Sequence, residues 1–392
     1  MKKLETILLY VSEHNSFYKN RIKEYGIKNP LDITQWPILT RKELQENRYN
    51  MFSDGYKTRY FNQQLRRQSS SGSTGIPINV YWDYKDWYAS NICLWRKRQV
   101  WYGIKPNDKY CIFTLGTYGT TPQGKELYFI NDPSNVLSFN VSLICDNNGY
   151  ECVAEIINDF KPTWLYIQPF VLNHLIVAYT KLRIVPPETI KYIESVGEVL
   201  SSDLRKKAER FFHIKITNMY GSEEMNGIAI ENPLGSMRIL SDNVFLEVAN
   251  DNGIENAGSG ESIITNLNNY AMPLIRYQQG DRIAIKDNVI LGIEGRSIND
   301  IIINGSHLNT VFLCEIVNRF NNEFKDILLD YHFVYEKDCN QITIYVDNCL
   351  ANYFNTIRNY FANFITMFFP DCQVRIDVFH DIYSKREILK IV

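Results

Sequence analysis

The sequence predicts an α/β protein: a large N-terminal part of parallel-rich sheets with helices and a barrel-like region, followed by a small α+β part. Three observations carry this. Residues 149–220 alternate helix-like and strand-like runs, the pattern of a parallel sheet whose ligands sit at the carboxyl ends of the strands. Residues 235–294 break into short strands separated by Asn/Gly turns ("EVANDNGIENAGSG", "IAIKDNVILG"), as in an antiparallel or barrel-like region. After Gly295 the pattern changes again, to two helices among several strands. The boundary is placed at 294–300, giving a large domain over 1–294 and a small one over 295–392.

Each element follows from local chemistry. Residues 1–50 read as helices and turns. The opening "MKKLETILLYVSEHN" is an amphipathic helix, because Glu5 interrupts its apolar run and Glu13 and His14 end it. "NSFYKNRIKEYG" has helix-like spacing, with Gly26 as its stop. "WPILTRKELQEN" is a turn and then a capped helix, with Thr40 as N-cap and Glu43 three residues on. Residues 84–101 form another helix, and "DKYCIFTLG" is a strand. Then come helix "YECVAEIINDF", strand "PTWLYIQ", helix "FVLNHLIVAYTKL", strand "TIKYIESVGE", helix "SDLRKKAERFF" with a Ser or Asp cap, and strand "KITNMYGSEE". In the C-terminal part, helices are expected near 311–322 and 351–368, and strands at "LDYHFVYEK", "QITIYVDN" and "CQVRIDVFH".

Composition narrows the classes of function. The 392 residues are 45% hydrophobic and include 26 Tyr, 21 Phe and 6 Trp, enough for a large core rich in rings. The formal net charge is −2 and no long basic run occurs, so nucleic acid is not an expected partner. No stretch reaches the roughly 18 consecutive apolar residues of a membrane span. The eight cysteines form no CxxC pair, and no histidine stands at zinc-finger spacing. They read as reduced thiols of a cytoplasmic protein.

The stretch "QSSSGSTGIPINVYW" at 68–82 raises the functional question. Glycines let backbone N–H groups approach an anion, and hydroxyls add donors, so the run suits a phosphate cradle. It is not a Walker A loop, since Gly72 and Gly75 are too close and no lysine follows. On composition alone a flexible linker fits as well.

Downstream, "NMYGSEE" (218–224), "YQQGDRI" (277–283) and "GRSIND" (295–300) follow in order. With "SSGSTGIP" (70–77), their order and spacing resemble the adenylate-forming superfamily of acyl- and aryl-CoA synthetases. "NSFYKNRI", "WPILTRKEL", "WRKRQVWYGIKPND", "FKPTWLYIQP", "SVGEVLSSDLR" and "TNLNNYAMPLIRYQQGD" resemble one branch, the phenylacetate–CoA ligases and CapK-like capsular-polysaccharide proteins. The resemblance covers essentially the whole chain. It implies a large N-terminal domain and a small, mobile C-terminal lid.

It also implies roles for single residues. Ser70, Ser71, Gly72, Ser73, Thr74 and Gly75 would cover the β- and γ-phosphates of ATP. Gly197 and Glu198 of "SVGE" would line the adenine site. Asn218 would bond the adenine amino group, Tyr220 would flank the base, and Gly221 would permit close approach. Glu224 would hold Mg2+, a hard cation that takes carboxylate oxygens. Asp281 would accept both ribose hydroxyls, and Arg296 would reach the ribose or α-phosphate. Arg276 matches a charged position near the site. Lys385 would bridge the substrate carboxylate and α-phosphate, with Lys390 as a rival. No zinc is expected, because Asn232 and Arg238 occupy the region where some CapK-like relatives carry Cys and His.

The activity implied is ATP-dependent conversion of a carboxylic acid to an acyl-AMP, then transfer to coenzyme A. Alternatives are transfer to a carrier protein or an amine, or nucleotide binding without turnover. Four departures from the family pattern stand out. Ile76 replaces a frequent lysine, Glu223 replaces a hydroxyl residue, and Ile298 and Asn299 replace acidic hinge residues. Ser384 stands where a glycine is usual. The basic residues of "WRKRQVW" suit either coenzyme A phosphates or a solvated helix face.

Overall fold

The computed structural model describes residues 2–69, 78–114, 126–131, 134–141, 144, 147–296, 301–303, 306–308, 310–324, 327–328, 331–378 and 389–392. The chain divides into two compact units, one of residues 1–105 and 219–298, the other of residues 106–218 and 299–392.

The first unit opens with helices Lys2–His14 and Ser16–Glu24. Asn15 caps the second by accepting the Tyr18 N–H, and Gly26 follows it at φ +62. The expected capping box is present. The Thr40 hydroxyl accepts the Glu43 N–H at 3.2 Å, and the Glu43 carboxylate accepts the Thr40 N–H at 2.8 Å. Each bond satisfies a donor that the start of a helix leaves orphaned. Helix Tyr84–Tyr102 is capped by Asp83 at one end and closed by Gly103 in the left-handed region at the other. The strands form an antiparallel run in the order Gly253–Glu255, Val244–Asn250, Gly258–Asn266, Tyr277–Lys286, Val289–Arg296, Met237–Ile239 and Asn226–Glu231. A separate antiparallel pair, Arg66–Ser69 with Asn79–Trp82, flanks residues 70–77. Among the described residues of this unit, Trp36, Trp82, Tyr18 and Tyr277 are the largest fully buried side chains.

The second unit carries the parallel sheet expected from the alternating pattern. Tyr110–Thr114 pairs in parallel with Val136–Asn140 and Trp164–Ile167, and the latter pairs in parallel with Tyr192–Val196. Tyr128–Asn131 adds an antiparallel edge. The helices Asn147–Phe160, Pro169–Leu182 and Ser202–Phe212 bury apolar faces (Val153, Leu172, Leu175, Ala208) with the strand residues Cys111, Leu165 and Ile193. Ser201 is the N-cap of the last of these helices.

The C-terminal residues build their own sheet, in the order Gln373–Val378, Gln341–Val346, Tyr331–Glu336 and Leu389–Ile391. Its core joins Phe320 of helix Thr310–Phe324 and Phe361 of helix Phe354–Phe368 to Phe333, Ile342 and Ile344. Among the described residues no helix is long and apolar enough to cross a membrane.

Candidate active site

Strand Ile216–Ser222 turns through Glu223 and Glu224 into strand Asn226–Glu231. Tyr220 lies opposite Ala229, and a bulge sets Gly221 opposite Gly227. A Cβ on Gly221 would come within 2.5 Å of the Asn226 carbonyl oxygen. This crowding across the hairpin requires glycine there whatever ligand approaches.

Asp281 is brought to the same place from strand Tyr277–Lys286, after Gly280 at φ +95. The Tyr220 hydroxyl donates to Asp281 Oδ2 at 2.6 Å, across 61 residues of sequence. Gln279 completes a triangle. Its Nε2 donates to Asp281 Oδ2 at 2.7 Å and to the Tyr220 hydroxyl at 2.9 Å. Its Oε1 accepts the Ser222 hydroxyl at 3.3 Å. Sequence reasoning passed over Gln279, although it lies between two residues of a quoted motif. The available signal was an amide two residues before a carboxylate on one strand, which puts both on the same face.

The turn itself is fixed from strand Arg66–Ser69. Gln68 Nε2 donates to Glu223 Oε2 at 3.2 Å and to Asn226 Oδ1 at 3.1 Å, and Asn226 Nδ2 donates to Ser90 Oγ at 2.9 Å. The Glu223 carboxylate is thus held by the strand leading into residues 70–77. Arg66 on that strand lies with its guanidinium 4.0 Å from the centre of the Trp87 ring. Burial lowers its pKa, while the phenols of Tyr84 and Tyr88 and the Glu223 carboxylate act the other way. Glu224 is 5% exposed, and among the described residues nothing donates a hydrogen bond to its carboxylate. A carboxylate with no protein donor keeps its oxygens available to a hard cation. Among the described residues no group of three or more His, Cys, Asp and Glu side chains gathers as a metal site.

The remaining expected residues fall in several places. Ser70, Ser71, Gly72, Ser73, Thr74, Gly75 and Lys385 lie outside the described residues, as do Ile76, Ile298, Asn299 and Ser384. In backbone register Arg296 stands directly opposite Asp281 in the antiparallel ladder. Asn218 is half-buried on strand Ile216–Ser222. In the second unit, Gly197 follows strand Tyr192–Val196 at φ +80, a conformation that favours glycine. Glu198 Oε2 accepts the Phe170 N–H at 3.4 Å, in the first turn of helix Pro169–Leu182.

Arg276, matched to a charged position near the site, is 3% exposed and spends its guanidinium on Glu247 and on the Thr34 and Trp36 carbonyl oxygens. It is a structural residue. Asn232 holds a tight turn by accepting the N–H groups of Leu234 and Ser236. Arg98 of "WRKRQVW" is buried against Trp95, whereas Lys97 lies over Trp101.

This fold is that of the adenylate-forming acyl-CoA ligases. A 2-hydroxyisobutyryl-CoA ligase solved in the postadenylation state with 2-HIB-AMP matches 100% of this chain and 88% of its own, at a TM-score of 0.73 and 16% identity. The anthranilate CoA ligase AuaEII with anthranoyl-AMP matches 82% of this chain and 64% of its own, at 0.57 and 14%. In sequence, the chain is related to the phenylacetate-coenzyme A ligase of Thermus thermophilus, 24% identical over 295 residues, covering 71% of this chain and 63% of that protein. It is also related to Protein CapK of Staphylococcus aureus, 22% identical over 314 residues, covering 76% and 65%. The matches thus span just under two thirds of these relatives' own length. No family model matches the chain.

Proposed function

We propose that this chain is an ATP-dependent adenylate-forming ligase. It activates a carboxylic acid as an acyl-AMP and passes the acyl group to the thiol of coenzyme A. A carboxylate oxygen of the acid bonds to the α-phosphorus as the bond to pyrophosphate breaks. The thiol then adds to the acyl carbon, and AMP leaves with the electron pair.

The observation that carries this reading is the hydrogen bond between Tyr220 and Asp281, with Glu224 four residues further along the same hairpin, in a fold shared with ligases solved with acyl-AMP. A carboxylate accepts a vicinal diol through charge-assisted bonds, so Asp281 would grip the ribose while the Tyr220 ring flanks the base. Asn218, Gly197, Glu198 and Gly221 would complete the adenine pocket. Residues 70–75 would supply N–H and hydroxyl donors to the phosphates, and Arg296 would reach the ribose or α-phosphate. Glu224 suits a magnesium ion, which would neutralise phosphate charge when bound. Lys385 would stabilise the charge that grows between the acid and the α-phosphate. Residues 1–294 would bind ATP and the acid, with 295–392 as a mobile lid. ATP and coenzyme A are cytoplasmic, so the protein would work there.

The similarity to CapK favours a second acceptor class, an amine or a carrier-protein thiol in surface-polysaccharide synthesis. Exchange of labelled pyrophosphate into ATP, measured over a panel of aryl and short acyl acids, tests the first half-reaction. Exchange with at least one acid is the expected result. Tight ATP binding with no exchange under any acid would instead identify a nucleotide-binding relative without turnover. Product analysis with coenzyme A, or with amines in its place, then separates the acceptors.

A further inference from the structure

We propose that Gln279 is a positioning residue that sets how strictly the site demands a ribose diol; the proposal rests on the nucleotide-binding reading given above. Tyr220 and Asp281 come from different strands, and neither holds the other's orientation alone. A phenol turns about its Cβ–Cγ bond and a carboxylate about its Cβ–Cγ bond. Gln279 removes both freedoms at once. Its two amide hydrogens are directed to Asp281 Oδ2 and the Tyr220 oxygen, and its carbonyl oxygen is steadied by the Ser222 hydroxyl. The Tyr220 proton then goes to Asp281 Oδ2, which closes the ring of three bonds.

The amide is suited to this in a way its near relatives are not. A carboxylate at 279 would repel Asp281 and offer Tyr220 no donor. An aliphatic side chain of the same size would fill the space and make none of the three bonds. The part of the nucleotide affected is therefore the ribose, whose 2′- and 3′-hydroxyls would meet Asp281, and not the acid or the phosphates.

The test compares wild type, Gln279→Leu, Gln279→Glu and the shorter amide Gln279→Asn. Binding of ATP and of 2′,3′-dideoxy-ATP is measured by calorimetry, with thermal unfolding as a control on folding. Wild type is expected to prefer ATP, and Gln279→Leu to lose about tenfold or more of that preference. This is the scale of losing hydrogen bonds to a charged group. Dideoxy-ATP affinity should change little, and Gln279→Glu should behave like Gln279→Leu. Partial recovery in Gln279→Asn is the expected sign that the amide, and not its volume, matters. If wild type prefers ATP and folded Gln279→Leu keeps the whole preference, the role of Gln279 is overturned while the nucleotide site stands. Equal loss for both nucleotides overturns it too, since that marks general damage. Wild type that binds neither nucleotide overturns the functional reading and this inference together.

Discussion

Arg276 and Glu247 form a bidentate ion pair in the interior of the first unit, with Arg276 Nε donating to Glu247 Oε2 at 3.0 Å and both side chains below 5% exposure. The remaining guanidinium nitrogen reaches the Thr34 and Trp36 carbonyl oxygens, so the pair also ties the N-terminal turn to the sheet. Removing one partner strands a buried charge. Glu247→Gln or Arg276→Met is expected to cost about 3–5 kcal/mol, read from denaturant unfolding. The double substitution to apolar residues should cost less than the sum of the singles.

Tyr220→Phe keeps the ring that would flank adenine and removes the donor to Asp281. The expected result is weaker ATP binding by about tenfold, with the acid's KM unchanged. Asp281→Ala should weaken it more, because the charged acceptor itself is gone. Equal effects on ATP and acid would contradict this division of labour.

The two C-terminal lysines should differ sharply. Lys390 sits exposed on strand Leu389–Ile391, opposite Val334, and its neighbour Leu389 is fully buried. Lys390→Ala should change stability by less than about 0.5 kcal/mol and leave exchange intact. Lys385→Ala should lower the adenylation rate on the order of 10²–10³ fold. A reversal of the two results would assign the role to Lys390.

Asp86 gives a pH prediction. Burial pushes its carboxyl up to about 6, against the Tyr270 N–H and Lys85, which favour the charged form; Asp83 disfavours it and Arg59 favours it. A folded pKa above the unfolded one means that the folded protein holds the extra proton between about pH 4 and 6. Stability therefore falls as pH rises through that window. Asp86→Asn, which still offers an oxygen to the Tyr270 N–H, should be more stable than wild type at pH 7–8, by roughly 1–2 kcal/mol. The difference should vanish near pH 4, as thermal unfolding across pH would show.

Local signals were legible in the sequence because their causes are local. The Thr40–Glu43 box and the Gly26 stop involve residues within a few positions of each other, and the serine or aspartate cap expected for the helix over 202–212 is Ser201. The alternation over 149–220 fixed the parallel strands for the same reason, since burial on both faces leaves its mark on every residue. What escaped depends on distance along the chain. Arg276 has a motif-like setting, and only its pairing with Glu247, 29 residues away, shows that its charge is already committed. Gln279 looked like filler because its three partners come from another strand as well as its own. Gly221 was assigned to ligand approach, yet the nearest obstacle is the Asn226 carbonyl of the facing strand. For Tyr220 and Asp281, family resemblance supplied the roles and the structure supplied the bond between them.

Gln68 has a practical consequence for engineering. The strands on either side of residues 70–77 are locked in register by four facing residue pairs, and Gln68 pins one of them to the Glu223 turn. These anchors lie on the two strands themselves and on the Glu223 turn. With the flanking strands held in this way, Ile76→Lys is the direct substitution to make, and its effect on turnover reads the worth of one added positive charge.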